Sequence, residues 1–139
     1  HVNDYLFDGT FLLVGEDGAN LLSRSTPIAF QASEKFWVNN HAHVLQTVDE
    51  IPLAYLQHYF NRIDLSQYVT GTAQPKLTQA HMNGIPVPLA PLAEQCRIVA
   101  KIESLFTQAD AIERAVALAQ KRADKIDQSI LARAFRGEL

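Results

Sequence analysis

A single cysteine, Cys96, stands among 139 residues. That excludes an internal disulfide framework and any multi-cysteine zinc site, and it fits a reducing, cytoplasmic setting. No apolar run approaches the ~20 residues that span a bilayer, and no signal peptide opens the chain, so no membrane partner is expected. Positive charge is also scarce. Residues 1–90 hold four Lys/Arg (Arg24, Lys35, Arg62, Lys76) against eight Asp/Glu, and residues 91–139 hold eight against seven, for a net charge of −3. Neither half has the basic body of a self-sufficient nucleic-acid binder. The 47% hydrophobic content argues against disorder. The length allows one domain, or one domain plus an appendage.

The last shortage is of helix breakers: between Pro91 and Gly137 there is neither proline nor glycine. Pro91 suits a first helical position, where its missing N–H would be unpaired anyway. Glu94 complements the positive end of the helix dipole, and Arg133 and Arg136 the negative end. Gly137 is a natural left-handed stop. Within these limits the apolar residues fall on a heptad. Ile102, Ala109, Val116, Ala123 and Ile130 take the a positions, and Ile98, Leu105, Ile112, Ala119 and Ile126 take the d positions. A seam over residues 98–130 would run ~50 Å. The pattern predicts a coiled coil, and its alanines predict a closely approaching partner helix. Val99 and Phe106 are expected to lie against the globular part, and Leu131 and Phe135 to dock elsewhere. The competing reading, a core helix of a bundle, lacks other helices to build it.

Upstream the pattern changes period. "FLLVG" (11–15), "IAFQA" (28–32) and "KFWVNNHAHVLQTV" (35–48) read as three strands. In the last, Ala42, Val44 and Gln46 alternate with His41, His43 and Leu45. "GEDGAN" (15–20) reads as a tight loop. Leu53, Leu56, Tyr59, Phe60 and Ile63 recur at helical spacing, with Pro52 acceptable in the first turn. A helical turn over "DLSQYV" (64–69) follows, and "GTAQPKLTQAHMNGIPVPL" (71–89) reads as extended. The fold class is therefore α+β: a partial mixed α/β domain over 1–90 and one long coiled-coil helix over 91–139.

Few residues point to chemistry. His41 and His43 could share a metal with His58 or His81, but no further ligand stands at diagnostic spacing. The alternative is that they hydrogen-bond within the sheet. "GEDGAN" lacks both the alternating acids of a calcium loop and the Gly-Lys-Ser/Thr of a phosphate loop. No nucleophile elbow surrounds Ser23, Ser25 or Ser66. No enzymatic activity is expected, and no cofactor. "GTAQPKLT" (71–78) differs, because Gly71 and Pro75 fix a loop on which Thr72, Gln74, Lys76 and Thr78 offer donors and acceptors. Gln can pair with adenine, and Lys can reach guanine or a phosphate. The alternative is an ordinary solvated loop.

"GEDGANLL", "KFWVNNHAHVL", "GTAQPKLT" and "IPVPLAPLAEQCRIVAKIESLFTQADAIE", closing on "ILARAFRGEL", together resemble the specificity subunits of type I restriction-modification systems. The likeness covers nearly the whole chain, and the proline-to-helix junction with "LAEQ" is its most specific part. It implies a target-recognition domain that reads a DNA half-site, followed by a helix that packs antiparallel on that of a second repeat or a second copy. It implies no catalysis, since methylation and cleavage belong to the DNA-methyltransferase (modification) and restriction subunits that are its partners. A whole recognition domain of this family starts before the position of His1, so the chain is expected to hold the second half of one domain plus its helix. On this likeness Thr72, Gln74 and Lys76 are expected near double-stranded DNA. Asn39, Asn40 and His41 are further candidates, and Arg24 and Lys35 are phosphate contacts by charge alone. A different class, a non-DNA adaptor that oligomerises through its helix, is favoured by the −4 balance of residues 1–90.

Overall fold

A computed structural model describes residues 4–138. Strands β1 (Phe7–Asp8), β2 (Phe11–Gly15), β3 (Ala29–Ala32), β4 (Lys35–Phe36) and β5 (Ala42–Leu45) join helices α1 (Asn20–Ser23), α2 (Leu53–Arg62), α3 (Gln79–Asn83) and α4 (Leu92–Phe135). The fold is α+β. It separates into two compact units, His1–Val99 and Ala100–Leu139. The first unit therefore takes in the opening two turns of α4 as well as the expected globular part.

The first unit is built on a three-stranded antiparallel sheet with β2 in the middle, between β3 and β5. Strand alternation sorts its faces. Leu12 pairs with Leu45 and Gln31, and Val14 with His43 and Ala29, so these six share one face. Leu12, Val14 and Ala29 on it are fully buried, with Leu21, Ile28, Phe60, Leu65, Leu77, Met82 and Ile85 completing the core. The run "KFWVNNHAHVLQTV" is not one strand. It breaks between Phe36 and Ala42, because Lys35–Phe36 pairs with β1 in a separate ribbon while Ala42–Leu45 pairs with β2. Phe7 and Phe36 of that ribbon meet Phe11 of β2, with ring centroids 5.3–5.8 Å apart.

Helix α2 docks through a polar residue as well as its apolar face. The Asn61 amide oxygen accepts from the backbone N–H groups of Ile28 and Ala29, each at 2.9 Å, and its NH₂ donates to the Ala29 carbonyl at 2.8 Å. This satisfies backbone groups at the entry of edge strand β3 that would otherwise be buried without partners. On the same helix, Tyr55 and Tyr59 donate their hydroxyls to the carbonyls of Pro88 and Pro86. Residues spaced i, i+4 on a helix thus hold alternate residues of an extended chain. Burial and the neighbouring tyrosines raise the Tyr59 hydroxyl above its ordinary titration range.

The stretch 71–89 is not wholly extended. Thr78, in β conformation, accepts from the His81 N–H at 3.3 Å and caps α3, which buries Met82. The polar composition of "TQAHMN" hides this short helix, because its single apolar anchor gives no periodicity.

Helix α4 runs unbroken for 44 residues. Pro91 lies just before it, and the Glu94 and Gln95 N–H groups bond its carbonyl. Gly137 (φ +70°) is the left-handed stop, and it leads into an Arg136–Glu138 ion pair at 2.9 Å. Gln95 occupies the a position one heptad before Ile102, yet it is buried at 4% exposure, and its amide donates to the Ala90 carbonyl at 2.7 Å. A part-buried hydrogen bond thus fixes the turn from the proline-rich segment into the helix. Ile98, Val99 and Ile102 are half-buried, and Phe106 is 59% exposed. From there on the seam lies open in the single chain, including Leu105, Ile112, Val116, Ile126 and Ile130. Leu131 and Phe135, off the seam, are also exposed.

Candidate nucleic-acid interface

Three loops of the first unit converge. The loop after β2 joins the 70–77 loop through backbone hydrogen bonds from Gly18 N to Pro75 O (2.9 Å) and from Leu77 N to Glu16 O (2.7 Å). The turn before β5 joins it through Glu16 N to His41 O (2.9 Å). The 70–77 loop also closes on itself, since Thr70 and Lys76 exchange two backbone hydrogen bonds. Buried Pro75 and Leu77 anchor its base. Gly71 (φ +84°) makes its bend, and a Cβ there would meet the Gln74 carbonyl oxygen at 2.7 Å. A side chain at 71 would clash with backbone, so the loop requires glycine.

On this frame Thr72 and Gln74 are exposed on the bend, with Lys76 at its end. The Lys76 ammonium pairs with Glu16 at 3.0 Å. That hydrogen bond and the Glu16 charge, with a smaller contribution from Asp17, raise the ammonium above its ordinary titration range. Beside it the His41 Nδ1 meets the Asp17 carboxylate at 2.7 Å. The Asn39 side-chain oxygen accepts from the His41 N–H at 3.1 Å and shapes the turn, in which exposed Asn40 also lies. The structure therefore gathers Asn39, Asn40, His41 and Lys76 with Glu16 and Asp17, on the loops that flank Thr72 and Gln74.

The remaining candidates lie elsewhere. Arg24 donates to the carbonyls of Phe60 (3.0 Å) and Ile63 (2.6 Å), at the C-terminal end of α2. Burial lowers its pKa below the usual guanidinium value, against the opposing charge of Asp64. The geometry makes Arg24 a cap for α2, a role that charge alone did not suggest. Lys35 lies on the β1–β4 ribbon with its ammonium 4.6 Å from the Tyr5 ring centroid. His43 donates its Nε2 proton to the Leu77 carbonyl at 2.7 Å, because a carbonyl can only accept. His41 and His43 thus have separate partners, and among the described residues no group of three or more His, Cys, Asp or Glu is placed to hold a metal. Among them, too, no helix is long and apolar enough to cross a membrane.

Sequence reasoning missed Glu16 and Asp17. The loop "GEDGAN" reads correctly as a turn, but nothing local says that its acids face a lysine sixty residues away. The alternating polarity of "GTAQPKLT" was the available signal for the opposite side.

Residues 1–119 match the family model described as the type I restriction modification DNA specificity domain. Over 105 residues the chain is 33% identical to a putative type I restriction enzyme specificity subunit of Haemophilus influenzae, covering 76% of this chain and 27% of that protein. It is 52% identical over 68 residues to the EcoDI specificity subunit of Escherichia coli, covering 49% of this chain and 15% of that protein. Against the StySPI specificity subunit of Salmonella potsdam the identity is 46% over 70 residues, half of this chain and 15% of the other. The chain thus spans about a quarter or less of the length of these relatives.

Proposed function

The chain belongs to the type I restriction-modification DNA specificity family, and from that premise we propose that it reads one DNA half-site through the three-loop cluster while its helix sets the distance to a second. The observation that carries the reading is the convergence of the 16–18, 39–41 and 70–77 loops, which puts Thr72, Gln74, Asn39, Asn40 and His41 on one framework.

The electrostatics favour base reading over phosphate binding at this spot. Two carboxylates, Glu16 and Asp17, face Lys76 and His41, so the cluster carries no net positive charge. Paired polar groups of this kind suit the donor and acceptor pattern of base edges. Gln74 can engage an adenine edge bidentately, and Thr72 can serve either strand. Lys76 must leave Glu16 to reach a phosphate or guanine, which gives contact by Lys76 an energetic cost. Phosphate affinity then comes from other basic surface, as an assembled recognition complex supplies.

The helix seam is the second part of the proposal. Its exposed Leu and Ile residues pack on an antiparallel helix from a second repeat or a second copy, spacing two recognition units along one duplex. Methyltransferase and restriction subunits dock on that assembly and supply the chemistry. An adaptor without DNA contact is the second reading, favoured by the acid excess of residues 1–90. A salt titration of duplex binding separates the two. Steep loss of affinity with added salt is expected for DNA recognition, and absence of binding at low salt, with the helix still self-associating, would favour the adaptor.

A further inference from the structure

Resting on that reading, we propose that Asp17 fixes the tautomer of His41 so that the ring presents an acceptor to the DNA, making His41 a reader of exocyclic amino groups. The relevant contact is His41 Nδ1 to Asp17 Oδ2 at 2.7 Å. An ionised carboxylate has no proton to give, so Nδ1 is the donor and carries the hydrogen. In the neutral ring the other nitrogen, Nε2, then holds a lone pair. Free imidazole rings can exchange these roles, and here the exchange is blocked by the partner rather than by the ring.

Two features make the arrangement an arm for contact rather than a brace. The two side chains differ in exposure, 55% for His41 against 18% for Asp17, so the carboxylate is sheltered while the ring stands out. The backbone on both sides is also fixed. The His41 N–H bonds the Asn39 side chain, its carbonyl accepts from Glu16, and Asp17 bridges to Lys76. His43 makes the contrast. Its Nε2 is a donor consumed by the Leu77 carbonyl, which leaves that ring as an internal brace.

An Nε2 acceptor in the major groove accepts from adenine N6 or cytosine N4, and it faces an unfavourable acceptor when guanine O6 or thymine O4 takes the same place. His41 therefore separates amino-bearing from carbonyl-bearing bases at one position of the half-site. Asp17 is the positioning residue, and His41 makes the contact.

The test has a spectroscopic and a functional arm. Nitrogen-15 spectra of the histidine rings in the full chain should show His41 with its proton on Nδ1, and Asp17→Asn should shift that ring toward the Nε2–H form. In the modification complex that contains this chain, methylation mapping over genomic DNA should show adenine or cytosine required at one half-site position. His41→Phe and Asp17→Asn should each cut discrimination there about tenfold, leaving the other positions and the gap unchanged. Because His41 is exposed, His41→Phe keeps its fold even if Asp17→Asn does not, and melting curves report which case holds. An Nε2–H ring in the wild-type chain, or an unaltered motif with His41→Phe, overturns the inference. No sequence-specific methylation by the wild-type complex would instead overturn the proposed function on which it rests.

Discussion

The two units of this chain hold their structure in opposite ways. In the globular unit, Leu12, Val14, Leu21, Leu65 and Leu77 are almost completely buried, and side chains such as Asn61, Arg24 and Tyr59 satisfy backbone groups far away in sequence. In residues 100–138 of the helical unit, only Ile102 is even half-buried. The helix satisfies its own backbone, but beyond Ile102 its apolar seam is exposed within one chain. Burial of apolar surface stabilises by about 25 cal/mol per Å², so the first unit has this contribution within one chain, and the second gains it only in the helix pairing we propose. Substitutions should therefore separate cleanly. Those in the globular unit change melting, and those in the seam change association.

The largest expected effect is on the seam. Ile112→Asp, with 64% of that residue exposed in the single chain, should leave the melting of the globular unit unchanged. It should weaken helix pairing by about 3 kcal/mol or more, over a hundredfold in Kd, measured by sedimentation equilibrium. Equal association of wild type and variant would break the contrast. In the other unit, Asn61→Ala strands the Ile28 and Ala29 N–H groups and the Ala29 carbonyl, so a loss of about 3 kcal/mol is expected in denaturant unfolding. Gln95→Ala lies where the helix leaves the globular unit, and the bond it removes is single. A loss of about 1–2 kcal/mol is expected, with seam association retained.

The smallest effect is a pH dependence. The Ser66 backbone and side-chain hydrogen bonds, with Arg24 nearby, hold the Asp64 carboxyl below its ordinary value of 3.8. A depressed carboxyl stabilises the fold above its unfolded value, and that contribution disappears as pH falls through the lower folded value. The globular unit should thus lose some stability below about pH 4. Asp64→Asn should flatten that part of the profile in thermal melts over pH 2–5, leaving association through the helix unaffected except by its own charges.

Legibility in the sequence followed the same division. Helix α4 was readable end to end, because its stop at Gly137, its entry at Pro91 and its heptad are all local patterns. Strands β2 and β3 and helix α2 were readable from apolar period. The break after Phe36 was not, since β4 and β5 have different partners and pairing is a tertiary choice. Helix α3 was hidden because its start depends on the Thr78 cap rather than on an apolar stripe. The site was half legible. Loop 71–76 and the 39–41 turn carry turn chemistry and polar side chains, but their juxtaposition with Glu16 and Asp17 depends on backbone bridges no local pattern encodes. Arg24 shows the converse, a charge that looked free and is consumed by α2.

In the function we propose, the loops choose the bases and the helix chooses the distance. Removing one whole heptad, residues 109–115, keeps the seam in register and shortens it by ~10 Å. Methylation mapping of a complex carrying this deletion should return the same half-site bases across a shorter gap. An unchanged gap, or an altered half-site at the original gap, would contradict the account.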